Sequence, residues 1–138
     1  MPTTSLRHDD GTRPLRVLYV DDESLVRKAF GRAMRRYDMS ITLAAHPHEA
    51  LALWNAASDG FDVVVSDLNM PDMNGLELIE AIHDQSGHDA FIVLSGVGVL
   101  ETRCGVPGVR YVPKPWSPDQ LADAIYALAP QRSVARAG

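Results

Sequence analysis

The residues in this sequence that are best suited to chemistry share one property: each follows a short apolar run. They are Asp21, Asp22, Asp67, Ser95 and Lys114. In open α/β sheets the carboxyl ends of the strands meet at one edge, so the three aspartates converge if the first and third runs are neighbouring strands. Carboxylates in one pocket repel each other and need a cation, most naturally Mg²⁺ with several waters retained.

The lysine and the hydroxyl add a second kind of function to this acidic site. Groups of these two types that face a metal suit phosphoryl transfer, because positioning and charge neutralisation supply most of its catalysis. An aspartate can itself act as the nucleophile and form an acyl phosphate. The residue types therefore indicate Mg²⁺-dependent phosphoryl chemistry.

Apolar runs that alternate with amphipathic stretches must position these residues. The runs are typical of buried parallel strands and lie at Leu15–Val20, Ile41–Ala44, Val63–Ser66, Phe91–Leu94 and Arg110–Val112. Apolar residues recur at helical spacing between several of them and after the last, where Ser117 and Pro118 mark a helix start. This alternation implies right-handed crossovers, and hence an α/β three-layer sandwich around a five-stranded parallel sheet.

The crossover before the fifth strand departs from this pattern. Residues 96–110 contain four glycines and one proline. Each interior glycine destabilises a helix by about 1 kcal/mol relative to alanine, and an interior proline by about 3 kcal/mol. We therefore predict a short or irregular fourth helix, limited to one or two turns around Val99–Cys104.

Composition and charge restrict the classes of function. The chain has 138 residues, 46% of them hydrophobic, with 13 basic and 18 acidic residues and a net charge of −5. This fits one domain with a substantial core and argues against direct nucleic-acid binding, which needs a basic face. The single cysteine excludes an internal disulfide, and no apolar run is long enough to span a bilayer. We expect a cytoplasmic protein without membrane contact, with disordered tails at residues 1–14 and 130–138.

Four motifs resemble those of response-regulator receiver domains, the CheY-like superfamily of two-component signalling. They are VDDE at 20–23, DLNMPDMNGL at 67–76, LSG at 94–96 and YVPKPW at 111–116, and the likeness covers residues 15–129. The resemblance implies the flavodoxin-like strand order 2-1-3-4-5, for which a receiver is a known example. It also implies a signalling domain that assists its own phosphorylation and dephosphorylation and is not otherwise an enzyme. Whether it stands alone or is part of a longer chain stays open.

The resemblance assigns roles to the site residues one by one. Asp67 would accept a phosphoryl group from phosphohistidine. Mg²⁺ would bind to the side chains of Asp22 and Asp67 and to the backbone carbonyl of Asn69, with Asp21 acting through water. Lys114 would pair with Asp67 at rest and with the phosphate after transfer.

The resemblance also implies a switch and a set of partners. Ser95 would hydrogen-bond a phosphate oxygen, Tyr111 would rotate inward behind it, and the Lys114–Pro115 peptide is expected to be cis. The phosphate donor would be a histidine kinase or a histidine phosphotransfer protein that meets the start of the first helix near Leu25. The downstream target would be another protein, and the domain is expected to be a monomer or a weak dimer.

Two other functions remain open on the sequence alone. A Mg²⁺-dependent phosphatase that forms an aspartyl phosphate shares this chemistry. Haloacid-dehalogenase-like enzymes, however, carry Asp-x-Asp after the first strand, whereas Asp21 and Asp22 are adjacent here and the candidate nucleophile follows the third strand. A receiver-like interaction module that no longer needs phosphate would keep the same fold, and constitutive partner binding by Asp67→Ala would support it.

Overall fold

The computed structural model describes residues 13–96 and 105–129, built around a five-stranded parallel sheet. The strands are β1 (Leu15–Val20), β2 (Met39–Ala44), β3 (Val63–Asp67), β4 (Phe91–Ser95) and β5 (Arg110–Pro113). They pair in the order β2-β1-β3-β4-β5, which confirms the order implied by the resemblance. The central strands β1 and β3 are buried almost throughout, as expected for a parallel sheet that is covered on both faces.

Four helices flank the sheet in the described residues. They are α1 (Ser24–Ala33), α2 (Pro47–Ala56), α3 (Gly75–Ser86) and α4 (Pro118–Leu128), and α1 continues into a 3-10 turn at Met34–Arg36. The α4 helix begins where the sequence predicts, since the Ser117 hydroxyl accepts a hydrogen bond from Gln120 N at 3.1 Å. Asn74 and Glu77 form a reciprocal capping box at the start of α3. None of the helices in these residues combines the length and the apolar composition needed to cross a bilayer.

The helices cover opposite faces of the sheet. Successive residues of a strand point to opposite faces. Val17 and Tyr19 pack with residues of α1 and α4, whereas Leu18 and Val20 pack with residues of α2 and α3. The predicted three-layer sandwich is thereby confirmed.

The crossover between β4 and β5 is described only in its second part. Residues 105–109 form bends and a turn, and Gly108 has a φ of +80°, a backbone conformation that favours glycine. The short or irregular helix predicted around Val99–Cys104 lies outside the described residues. The disordered tails predicted at residues 1–14 and 130–138 also fall almost wholly outside them and stay predictions.

Candidate functional site

The carboxyl ends of the strands meet at one edge of the sheet, and the residues singled out from the sequence lie there. Asp21 directly follows β1, Asp67 and Ser95 are the last residues of β3 and β4, and Lys114 follows β5. Backbone hydrogen bonds continue past the strand ends, since Asp21 N donates to Ala44 O at 3.1 Å and Lys114 N donates to Ser95 O at 2.7 Å. The sheet therefore fixes the backbone of these site residues.

Three carboxylates form the centre of this edge. One oxygen of each of Asp21, Asp22 and Asp67 lies within 4.8 Å of the other two. Asp21 is fully buried and Asp67 is 4% exposed, so water screens their mutual repulsion poorly. Asn69 is exposed and lies two residues beyond Asp67. The structure thus brings the three acids together, and their oxygen atoms suit a hard divalent cation.

Lys114 contacts this cluster from the end of β5. Its Nζ lies 2.6 Å from Asp67 Oδ1 in an ion pair, and this buried oxygen has no other polar partner among the described residues. The pKa of Asp67 is raised, chiefly by burial. The contact with Lys114 lowers this pKa, and the charges of Asp21 and Asp22 raise it further. A buried carboxylate oxygen with a single partner has room to accept a further electropositive partner.

Asp21 is held by donors that the sequence analysis did not identify. The Tyr19 hydroxyl donates to Asp21 Oδ2 at 3.1 Å, and the Glu23 backbone N donates to Oδ1 at 3.0 Å. Burial, followed by the charge of Asp21, raises the pKa of Tyr19, which keeps the phenol protonated and able to donate. One signal was present in the sequence, because residues two apart in a strand point to the same side. Tyr19 nevertheless has the pattern of an ordinary core residue.

The loop after Asp67 is fixed by its junction with α3. Gly75 N donates to Leu68 O at 2.8 Å, and the Asn74 side chain caps the helix. A Cβ on Gly75 would lie 2.4 Å from Asp67 O and 3.1 Å from Ser66 Oγ. Glycine is therefore required here because the backbone of α3 approaches Asp67 closely.

Ser95 and Tyr111 lie on the same face of the sheet. Val93 pairs with Tyr111 in the register of β4 and β5, and Ser95 is two residues beyond Val93. Ser95 is partly buried at the site, whereas Tyr111 is 39% exposed on the neighbouring strand. The Lys114–Pro115 peptide is cis, as predicted.

An apolar groove borders the site between α1 and the segment that follows β5. Its lining residues are Glu23, Leu25, Val26, Ala29, Lys114, Pro115 and Trp116. Leu25 is 79% exposed, more than any other large hydrophobic residue in the described part of the chain. An exposed apolar surface beside a polar site is typical of contact with another molecule.

Comparison with known proteins identifies the family. Residues 17–126 match the family described as "Response regulator receiver domain". The chain is 33% identical over 120 residues to "Response regulator MprA" of Mycolicibacterium vanbaalenii, an alignment that covers 83% of this chain and 50% of that protein. It is 31% identical over 126 residues to "Probable transcriptional regulatory protein TcrX" of Mycobacterium tuberculosis, covering 89% of this chain and 53% of that protein. The chain thus spans about half the length of these two relatives.

A solved structure agrees with this match. The CheY-like response regulator receiver domain protein from Methanospirillum hungatei is 25% identical, with a TM-score of 0.73, and the superposition covers 90% of this chain and 98% of that chain. The strand order of the sheet agrees with the flavodoxin-like order of such proteins. On the family match and these likenesses, the chain belongs to the response regulator receiver domain family of two-component signalling.

Proposed function

We propose that this domain accepts a phosphoryl group on Asp67 from a phosphohistidine, as part of a two-component system or phosphorelay. One observation carries the proposal: buried Asp67 Oδ1 lies 2.6 Å from Lys114 Nζ, and an Asp67 oxygen lies within 4.8 Å of two other carboxylates. The oxygen is a nucleophile at the edge of the sheet where strand-end sites form, and the ammonium group beside it neutralises charge on an incoming phosphoryl group.

The same acids support a Mg²⁺ site. Asp22, Asp67 and the backbone carbonyl of Asn69 would hold the ion, and Asp21 would act through water. The fit rests on the oxygen-only donor set and on buried Asp67 Oδ1, whose one polar partner in the described residues is Lys114 Nζ. When bound, Mg²⁺ supplies charge neutralisation on the phosphoryl oxygens.

Ser95 and Tyr111 would convert phosphorylation into a change of surface. The Ser95 hydroxyl would donate a hydrogen bond to a phosphate oxygen on Asp67, which draws the end of β4 toward the site. Tyr111, on the same face and 39% exposed, would then turn inward behind Ser95. The phosphate would thus bias an equilibrium between two arrangements, and a downstream protein would distinguish them.

The apolar groove beside the site would receive the phosphate donor. A histidine kinase or a histidine phosphotransfer protein would place an apolar helix face against Leu25, Val26 and Trp116, which brings its phosphohistidine to Asp67. The 79% exposure of Leu25 supports this docking, because such a side chain gains from burial in a complex. A receiver that works with these partners would act in the cytoplasm.

The test is intact-mass measurement after incubation with acetyl phosphate and Mg²⁺. We expect the wild-type protein to gain one phosphoryl group, and Asp67→Asn or added EDTA to abolish the gain. Asp72→Asn is the matched control, because Asp72 is an exposed acid in the same loop. Equal labelling of wild type and Asp67→Asn would contradict the proposal.

The other functions left open by the sequence give different outcomes in these assays. A module independent of phosphate would gain no mass, and its Asp67→Ala variant would still bind the partner. A phosphatase would release inorganic phosphate from phosphomonoesters with continuous turnover. A receiver transfers the group to its own carboxylate, so its mass gain does not exceed one phosphoryl group per molecule.

A further inference from the structure

The side chain that holds Asp21 from inside the core belongs to Tyr19. Tyr19 is fully buried in β1, two residues before Asp21, so the two side chains point to the same side of the strand. The Tyr19 hydroxyl donates to Asp21 Oδ2 at 3.1 Å, and Glu23 N donates to Oδ1 at 3.0 Å. Both oxygens of this buried carboxylate are therefore fixed by protein donors.

The tyrosine ring is itself held by aromatic packing. It stacks on Phe30 of α1 with ring centroids 3.9 Å apart and an interplanar angle of 8°. Phe30 in turn makes a T-shaped contact with Trp116, at a centroid distance of 5.9 Å and an angle of 82°. The position of the hydroxyl is thus set by α1 and by the segment that follows Lys114, both of which line the groove beside the site.

We propose that Tyr19 is a positioning residue for the cation site: its hydroxyl fixes the Asp21 carboxylate close to Asp22 and Asp67. This inference rests on the proposed Mg²⁺-dependent function. Tyr19 reaches Asp21 Oδ2 from the core side and is itself fully buried, so no bulk water is at hand on that side to replace its hydroxyl when it is removed. A carboxylate that has lost one of its two donors turns more freely and spends less time in the arrangement that binds a cation. Groups that orient metal-binding side chains in this way commonly change metal affinity when they are substituted.

The direct test is Mn²⁺ binding, with the free ion counted by electron paramagnetic resonance. Tyr19→Phe removes the hydroxyl and keeps the ring that stacks on Phe30. We expect its dissociation constant for Mn²⁺ to rise roughly three- to tenfold, the range that follows from losing one net hydrogen bond. The matched control is Tyr37→Phe, because the Tyr37 hydroxyl also donates to a carboxylate, that of Asp119, but on the exposed surface. Its affinity should equal that of wild type.

A second measurement separates positioning from loss of folded protein. In acetyl phosphate labelling, the Mg²⁺ concentration for half-maximal rate should rise in Tyr19→Phe by the same factor, while the rate at saturating Mg²⁺ stays within about twofold of wild type. A merely destabilised protein would lose rate at saturation without a change in the half-maximal concentration. Should Tyr19→Phe fail to fold, Phe30→Leu loosens the ring but keeps the hydroxyl, and its Mn²⁺ affinity should also fall.

The outcomes distinguish this inference from the proposed function. If wild type binds Mn²⁺ and Tyr19→Phe has the same dissociation constant, the positioning role is overturned and the cation site stands. Equal weakening in Tyr19→Phe and Tyr37→Phe also overturns it, because the effect would then be unspecific. If wild type itself binds no Mn²⁺, the cation site and the role of Tyr19 are overturned together.

Discussion

Lys114 contacts Asp67 at 2.6 Å and Arg36 contacts Asp119 at 2.7 Å, yet the two carboxyl groups respond in opposite directions. The pKa of Asp67 is raised, with burial as the largest cause. The pKa of Asp119 is lowered, first by the hydrogen bond from Tyr37 and then by Arg36. The distance between the charged atoms of an ion pair therefore does not decide whether the pKa of its carboxyl is raised or lowered.

The difference lies in the surroundings of the two acids. The side chain of Asp67 is 5% exposed and has two further carboxylates beside it, whereas that of Asp119 is 77% exposed. Water screens the outer pair, and such pairs contribute little to stability. The inner pair keeps an oxygen in an environment that disfavours its charge, which makes that oxygen ready to bind an electropositive group.

The largest expected effect is the loss of phosphorylation rate when the Lys114 ammonium group is removed. Lys114→Gln should lower the rate of phosphorylation by acetyl phosphate about a hundredfold, since a preorganised group that stabilises developing charge contributes on this scale. Arg36→Gln, which removes the outer cation, should leave the rate within about twofold of wild type. Both rates are followed by intact mass against time. Comparable losses of rate in the two variants would contradict the distinction between the buried and the exposed ion pair.

The start of α3 beside Asp67 and the interior of α1 should also differ in how they tolerate a single methyl group. Gly75→Ala places a Cβ 2.4 Å from Asp67 O and should lower the free energy of unfolding by about 1–3 kcal/mol, as expected for overpacking. Gly31→Ala in α1 would meet only the tip of Leu43, at 3.5 Å, and should stabilise the helix by up to about 1 kcal/mol. Urea denaturation of both variants measures these changes. A tolerated Gly75→Ala would show that the loop can move away from Asp67.

Neutralising the acids should change stability in opposite directions. When folding raises the pKa of a carboxyl, the free energy of unfolding falls as pH rises through the folded pKa. Ionised Asp67 therefore destabilises the native state at neutral pH. Asp67→Asn removes this buried charge and should therefore raise the free energy of unfolding in buffer with EDTA. Asp119→Asn should lower it slightly, because that acid is stabilised by its partners. Denaturant titrations at neutral pH give both values, and a destabilised Asp67→Asn would contradict the conclusion that burial of ionised Asp67 is unfavourable.

The smallest expected effect is on the stability that the exposed Arg36–Asp119 pair contributes at acidic pH. A carboxyl whose pKa is lowered by folding contributes stability above its unfolded value of 3.8 and loses it as pH falls through the folded pKa. The difference in melting temperature between wild type and Asp119→Asn should therefore stay constant near neutral pH and shrink as pH falls below 3.8. Thermal melts over this range, repeated at high salt, measure it. A difference that persists at the lowest pH would mean that Asp119 acts through packing.

Much of the fold and of the site edge followed from residue order. Buried runs that alternate with amphipathic stretches define a parallel sheet, and the carboxyl ends of its strands must share an edge. That is why Asp21, Asp67 and Lys114 could be placed at one edge of the sheet from the sequence. Strand order came from the resemblance alone, because spacing does not say which strands are neighbours.

Side-chain contacts between distant segments could not be predicted in the same way. The bond from Tyr19 to Asp21 depends on a ring orientation that Phe30 and Trp116 set from two other segments of the chain. The need for glycine at position 75 arises from the distance between two backbones, which no local pattern encodes. Such contacts are set by packing across the fold.

The bond between Gly75 N and Leu68 O has a consequence for engineering the protein. At 2.8 Å it closes residues 68–75 into a ring, and the capping box at Asn74 locks the same junction. Pro71 and Asp72, midway along this ring, are exposed. We therefore expect that a fluorophore or a short recognition tag can be inserted between these two residues while Asp67 keeps its position.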